Sequence, residues 1–283
     1  MRQTQSSLHG VDGPTMRRLL VHEARVHSLP GREVRDLGDA VLLYDPIDPE
    51  PFWNRAEAIQ WPAEPDAFDR RLGELLILFA SLMRQPHIWP APAYDTPDDL
   101  IVRLESNGFR DVGGGTVMVL SDPTKAEARA AAILPPGIRL ERLHGLVGEP
   151  AREVAADIVS VLLDAFGVES DRRAGIEGET TASLGNAAFT YYLIRLDGNP
   201  AAVARRATFD GASYLSSIGT ATWARGWGLG RAVTAAASLD AVAAGSEWTY
   251  LGVFNENDVA RRVYSDVGFV QVGAACPDLL LIG

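Results

Sequence analysis

Residues 223–245 read WARGWGLGRAVTAAASLDAVAAG, a glycine-rich stretch that runs straight into an apolar, helix-forming segment closed by Gly245. The strand-like run ASYLSSIGTA (212–221) stands immediately before it. A glycine loop that joins a strand to a helix aims backbone N–H groups and the positive end of a helix dipole at one spot, and such a spot holds an anion. Glycines at 226, 228 and 230 allow tight turning and close approach of a ligand, and Arg225 adds a cation. Two phosphate-binding patterns fail on spacing. A P-loop needs a Gly-Lys pair, and this loop has no lysine. A dinucleotide fingerprint needs glycine at 231 or 233, where Arg231 and Val233 stand, and it follows an early parallel strand.

The surrounding pattern predicts a strand at 138–143, a helix at 153–167 and a less regular helical stretch at 171–183. Two strands, 187–197 and 199–210, meet at the hairpin signal Asp197-Gly198, and Asp210-Gly211 turns into the strand 212–221. The three form an antiparallel meander. A helix at about 229–243 follows, then a strand (247–254), a helix (257–268) and two terminal strands, FVQVG and DLLLIG.

The first half predicts helices at 15–28, 68–85 and 96–109 and a strand at 39–45. Extended pieces fall at 54–61 and HIWPAP, and the strand GTVMVL (115–120) closes this half. Leu72, Leu75, Leu76, Phe79, Leu82 and Met83 supply the apolar face of the second helix. The polar, Ala- and Pro-rich stretch 121–137 reads as a linker, which divides the chain near residue 130 into domains 1–130 and 131–283.

What remains for the loop is Arg225-X-X-Gly228-X-Gly230, accompanied downstream by Asn257-X-X-Ala260-X-X-X-Tyr264-X-X-X-Gly268-Phe269. These two motifs, in this order of elements, resemble the GNAT acetyltransferase superfamily over residues ~137–283. A second copy of the short motif, Arg110-Asp111-Val112-Gly113-Gly114-Gly115, leads into a strand and reads as a turn. The resemblance implies an α/β (α+β) fold with a mixed, mostly antiparallel sheet flanked by helices. The whole would be a tandem in which the first domain is degenerate, without a CoA site, and completes the sheet or walls the acceptor cleft.

It further implies acetyl-CoA as acyl donor, with no metal, its pyrophosphate lying on Arg225, Gly226, Trp227, Gly228, Leu229 and Gly230. Main-chain contacts to the pantetheine arm would come from Ile218, Gly219 and Thr220, with Gly219 easing a bulge. Asn257 would touch the cofactor, and Tyr264, nearly two turns along the same helix face, would protonate the departing thiolate. Relatives often carry a carboxylate on the strand before the loop; ASYLSSIGTAT offers only hydroxyls. A water on Ser216 or Ser217, a carboxylate such as Asp210 or Glu256, or an amine arriving neutral each meets the need for a base. The expected activity is N-acetylation of a small-molecule or peptide amine, and the alternative is a non-catalytic acyl-CoA-binding regulatory module.

Bulk properties narrow the partners. The 283-residue chain carries a net charge of -11, with no basic cluster interleaved with aromatics, which argues against nucleic acid and anionic membranes and suits a cationic acceptor. No apolar run approaches a membrane span, and the start lacks a signal-peptide core, so a cytoplasmic protein, monomer or homodimer, is expected. The single Cys276 reads as a buried apolar residue. Histidines at 9, 22, 27, 87 and 144 show no metal-ligand spacing, and no Gly-X-Ser-X-Gly elbow is present. Trp223, Trp227 and Trp248 read as packing residues at the loop and strand ends, with Trp227, inside the loop, also placed to touch the cofactor.

Overall fold

A computed structural model describes residues 11–92, 94–131 and 136–282; His9 lies outside them. The chain forms two compact units, one made of Met1–Val117, Val253–Glu256 and Gln271–Gly283, the other of Met118–Gly252 and Asn257–Val270. The elements in chain order begin with α1 (Gly13–Ser28), β1 (Glu33–Asp36), β2 (Val41–Tyr44), β3 (Arg55–Glu57), α2 (Pro65–Ser81), β4 (His87–Trp89), α3 (Leu100–Ser106), β5 (Phe109–Asp111) and β6 (Gly115–Leu120). They continue with α4 (Pro123–Ala130), β7 (Ile138–Leu143), α5 (Gly148–Phe166), α6 (Arg173–Gly185), β8 (Phe189–Leu196), β9 (Asn199–Phe209) and β10 (Ala212–Thr220). The last are α7 (Leu229–Ala243), β11 (Trp248–Phe254), α8 (Asp258–Val267), β12 (Phe269–Cys276) and β13 (Leu279–Leu281). No helix among the described residues is long and apolar enough to cross a membrane.

The first unit is built on a six-stranded sheet in the order β1-β2-β3-β4-β13-β5. Its core joins Phe68, Leu72, Leu75 and Phe79 of α2 to Leu42, Ile88, Phe109 and Leu279 of the sheet. The second helix stops at Ser81, short of the predicted 85. Met83 takes a left-handed backbone (φ 55) and stands 83% exposed, so it leaves the apolar face that its spacing suggested.

This unit also buries a set of ionisable groups. Arg55 is wholly buried, its guanidinium 4.6 Å from the ring centroids of both Phe52 and Trp89. It donates to Glu23 and, at 3.4 Å, to Glu57. One cation between two buried carboxylates neutralises only one of them. Glu23, which also meets His27 at 2.7 Å, is the one kept ionised: Arg55 and His27 outweigh its burial and hold it down at about 2. Glu57 is pushed up to about 8 by burial, and burial lifts Asp95 to about 7 although it accepts from the amides of Ala91 and Ile59. Folded Glu57 therefore keeps a proton that the unfolded chain releases near 4.5, and its stabilising contribution is complete below that pH and lost as pH rises through 8. The thermal midpoint is expected to fall between about pH 5 and 9, and Glu57→Gln to flatten the fall above pH 7, as differential scanning calorimetry would measure; an unchanged slope would remove Glu57 as its source.

The second unit is built on the seven-stranded sheet, β12-β6-β11-β10-β9-β8-β7. The antiparallel meander β8-β9-β10 forms as its turn signals predict, with Asp197 and Asp210 both at positive φ in the two turns. Tyr191 and Val203 pack with Ala155, Ile158 and Leu162 of α5. The next residue on the same strand, Tyr192, donates to Asp240 of α7, 3.0 Å away. Successive residues of a strand face opposite sides, so α5 and α7 cover opposite faces.

Two expectations change. The stretch read as a linker forms α4 over Pro123–Ala130, capped by Asp122 and packed on α7 and α8 through the buried Ala126. Its run KAEARA is made of strong helix formers, which outweighs the flanking prolines; residues 132–135 lie outside the described residues. The strand GTVMVL does not close the sheet of the first half. As β6 it stands between β12 and β11, while β13, from the far end of the chain, takes the place between β4 and β5.

Candidate functional site

The strand β10 carries the irregularity that prepares the site. It pairs with β9 from Ala212↔Phe209 to Ser216↔Arg205, slips, and resumes at Gly219↔Val203. Its parallel pairing with β11 covers only Ala212–Leu215 against Trp248–Leu251, although β10 continues to Thr220. From Ser216 to Thr220 the main-chain groups on that edge are thus outside the β10–β11 ladder, as at a bulge that ends pairing. Ser217, at φ 51, takes the left-handed turn of the bulge, the position that Gly219 was expected to ease. Gly219 answers a different need: a Cβ there would stand 3.0 Å from the Ala165 Cβ and 3.7 Å from the Phe166 ring, so its lack of a side chain lets the end of α5 close on the strand.

The loop after β10 is anchored at one side and open at the other. Asp164 accepts from the Thr222 amide and hydroxyl, bonds that hold its carboxyl below the usual range, with Arg225 adding to the effect. Arg225 donates to the carbonyls of Ala165 (3.2 Å) and Thr220 (3.4 Å). Gly226 (φ 84) and Gly228 (φ 75) require the left-handed region, and a Cβ on either would meet open space. Gly230 is helical, and its reason is proximity, since a Cβ would lie 3.2 Å from the Thr220 hydroxyl oxygen.

The helix α7 opens at Leu229 with Gly228 as its N-cap, without a side-chain cap and without an acidic residue in its first turn. The first amides of a helix lack intrahelical acceptors, so Leu229, Gly230 and Arg231 present N–H groups at the positive end of a 15-residue helix. The second copy of the motif contrasts with it. Residues 110–115 run from β5 into β6, and a Cβ on Gly114 would stand 2.2 Å from the Cys276 carbonyl oxygen, so that glycine serves a close backbone contact between strands.

Downstream, the Asn257 side chain caps α8, its Oδ1 accepting from the Ala260 amide at 3.0 Å. Tyr264 is 7% exposed, with its ring 6.3 Å edge-on from Phe269. Among the described residues nothing hydrogen-bonds its hydroxyl, and burial pushes its pKa up to about 12. Arg231 pairs with Asp266 at 2.6 Å and so ties the opening of α7 to α8.

Of the carboxylates considered as bases, Asp210 belongs to the turn before β10, six residues and roughly 20 Å of strand from the bulge. Glu256 follows β11, in the first unit. Ser216 accepts from the Arg205 Nε at 3.0 Å, a contact that the sequence reading missed. Its signal was an arginine inside the apolar strand NPAAVARRATF, at a position whose neighbours point to the core. Trp223 and Trp227 are 54% and 51% exposed, which departs from the packing role expected of them. Trp223 lines a cavity of about 400 Å³ with Ser160, Val161, Asp164, Asn199, Pro200 and Ala221. Cys276 is buried, its thiol pushed up to about 12 chiefly by burial. Among the described residues no group of three or more His, Cys, Asp or Glu side chains is arranged to hold a metal ion.

The profile of the acetyltransferase (GNAT) family matches residues 156–269, which span the α5-to-β12 region including the bulged strand, the glycine loop and α8. No curated protein sequence matches the chain. Among solved structures, a GCN5-related N-acetyltransferase from Kribbella flavida is similar at a TM-score of 0.70 and 21% identity, over 97% of this chain and 96% of that one. A tandem GNAT protein from the clavulanic acid biosynthesis pathway, determined without AcCoA, is similar at 0.61 and 14%, over 91% and 86%. A GCN5-related N-acetyltransferase from Sphaerobacter thermophilus is similar at 0.57 and 16%, over 88% and 83%. Residues 156–269 thus match the GNAT acetyltransferase family model, within a chain whose fold is similar to that of GNAT proteins.

Proposed function

We propose that the chain is an N-acetyltransferase that moves an acetyl group from acetyl-CoA to an amine of a small molecule or peptide. The observation that carries this reading is the uncapped start of α7 beside a strand that leaves its ladder. Amides with no side-chain cap, under glycines that leave the surface open, fit a pyrophosphate; Arg225, Gly226, Trp227, Gly228, Leu229 and Gly230 would hold it. Ile218, Gly219 and Thr220 would run along the pantetheine arm with the main-chain groups that the bulge frees from β11. The capping role of Asn257 fixes the start of α8, and from that helix Tyr264 would face the thiol. Acetyl-CoA supplies the activated acyl group; the residues bind it, orient its carbonyl and provide a proton as the thiolate leaves.

Among its described residues the first domain offers no comparable loop, since its glycine motif joins two strands, and we read it as having no CoA site of its own. Calorimetric titration of the full chain with acetyl-CoA is expected to show one site in the micromolar range, with CoA binding at similar affinity because the nucleotide and pantetheine carry the contacts. Absence of heat with either ligand would remove the donor and the proposal with it.

A further inference from the structure

The face of the second unit covered by α5 and α6 carries a hydroxyl oriented by a buried cation. The pairs Tyr191↔Arg205 and Ser216↔Arg205 set three side chains in one row across β8, β9 and β10. Arg205 is 4% exposed and lies 5.1 Å from the Phe189 ring centroid, and its charge is met by Glu179 of α6, with Nη1 3.5 Å from Oε1. Its Nε donates to Ser216 Oγ at 3.0 Å. A guanidinium has donors only, so Ser216 stands in this bond as the acceptor, and its own O–H points in another direction. Among the described residues that O–H has no acceptor, and Ser216 is half-buried, within reach of a ligand.

Ser216 is also where β10 slips against β9, one residue past the end of its parallel ladder with β11. The main-chain groups freed there are those assigned above to the pantetheine arm, so the hydroxyl stands beside the path of the thioester. A hydroxyl oxygen engaged by a cation is a poorer acceptor and a stronger donor, because the bond it accepts polarises the one it gives. A water that took this proton in a hydrogen bond would become less basic. The role that suits Ser216 is therefore donation to an oxygen that gains negative charge. We propose that Ser216 donates a hydrogen bond to the carbonyl oxygen of the acyl donor, with Arg205 as the residue that positions it. When the neutral amine adds to the thioester carbon, the C=O electron pair moves onto that oxygen. When the pair returns, the C–S bond breaks, sulfur leaves as thiolate, and the proton lost by nitrogen balances the one sulfur takes up. Ser216 keeps its proton throughout, and its bond is strongest while the oxygen is charged. This inference rests on the proposed function for the donor and its path.

Infrared difference spectra of acetyl-CoA isotope-labelled at the acetyl carbonyl provide the test. In wild type the band of the bound carbonyl is expected below that of free acetyl-CoA. In Ser216→Ala it should move back toward the free value, and in Ser216→Thr, which keeps the hydroxyl, it should stay near wild type. Arg205→Lys, whose ammonium lacks the fixed fork of a guanidinium, should give a band between the two. Acetyl-CoA affinity should stay within about threefold in Ser216→Ala, while kcat falls about tenfold, by the same factor across the pH range. Equal band positions in wild type and Ser216→Ala would overturn the donor role. So would a loss of kcat that disappears at high pH, where the amine is already neutral and needs no base. If wild type fails to bind acetyl-CoA, the proposed function falls and this inference with it, whereas binding without a shifted band overturns this inference alone.

Discussion

Gly228→Asp is expected to weaken acetyl-CoA binding at least about a hundredfold while leaving the thermal midpoint within a few degrees of wild type. The two halves of this expectation come from the same geometry. Gly228 sits at φ 75 with open space where a Cβ would go, and aspartate tolerates the left-handed region at a cost of about 1 kcal/mol. A carboxylate at the N-cap of α7 recovers about 0.3–1 kcal/mol from the helix dipole, so the fold is nearly indifferent. The ligand is not. The new charge occupies the amides that would hold a pyrophosphate and repels its oxygens. Gly228→Ala carries the same backbone strain without the charge, and its affinity should drop by less than about tenfold. Equal losses in the two variants would assign the effect to backbone shape, and no loss in the aspartate variant would move the anion site away from α7.

The elements that sequence periodicity located are those whose causes are local. The helix predicted at 229–243 is α7 to the residue, because the glycines that stop each end need no partner to act. The meander is legible for the same reason, since Asp197-Gly198 and Asp210-Gly211 dictate their own turns. Partner choice is not local, and it is where the reading of strands failed. GTVMVL is a strand by its composition, but nothing in six residues says that it belongs between β12 and β11. The same holds for DLLLIG, whose Leu279 is fully buried between β4 and β5.

The loop of the candidate site was legible and its supports were not. Gly226 and Gly228 have the open, left-handed geometry that their spacing suggested. Gly219 and Gly230 owe their identity to Ala165 and to the Thr220 hydroxyl, contacts made by other elements. Arg205 was hidden in plain sequence, because an arginine in a strand reads as a solvent-facing residue until the helices covering it are known.

Tyr264→Phe is expected to lower kcat about a hundredfold and to leave acetyl-CoA affinity and stability unchanged. Stability should hold because the hydroxyl makes no hydrogen bond among the described residues, while the ring keeps its contact with Phe269. The size follows from the pKa. A hydroxyl pushed up to about 12 stays protonated at neutral pH but gives its proton reluctantly to a thiolate less basic than its own phenolate, so it acts chiefly by hydrogen-bonding the departing sulfur. That places its effect at the low end of the ~10²–10⁴ range for acid catalysis. Thiol release measured against a panel of amines, with acetyl-CoA affinity determined in parallel, separates the alternatives. A regulatory module that only binds acyl-CoA has no use for a donor at the sulfur, and for it both proteins would bind alike and neither would turn over. Turnover that survives the substitution undiminished would instead leave an active enzyme whose acid lies elsewhere, and would reduce Tyr264 to an aromatic that packs on Phe269.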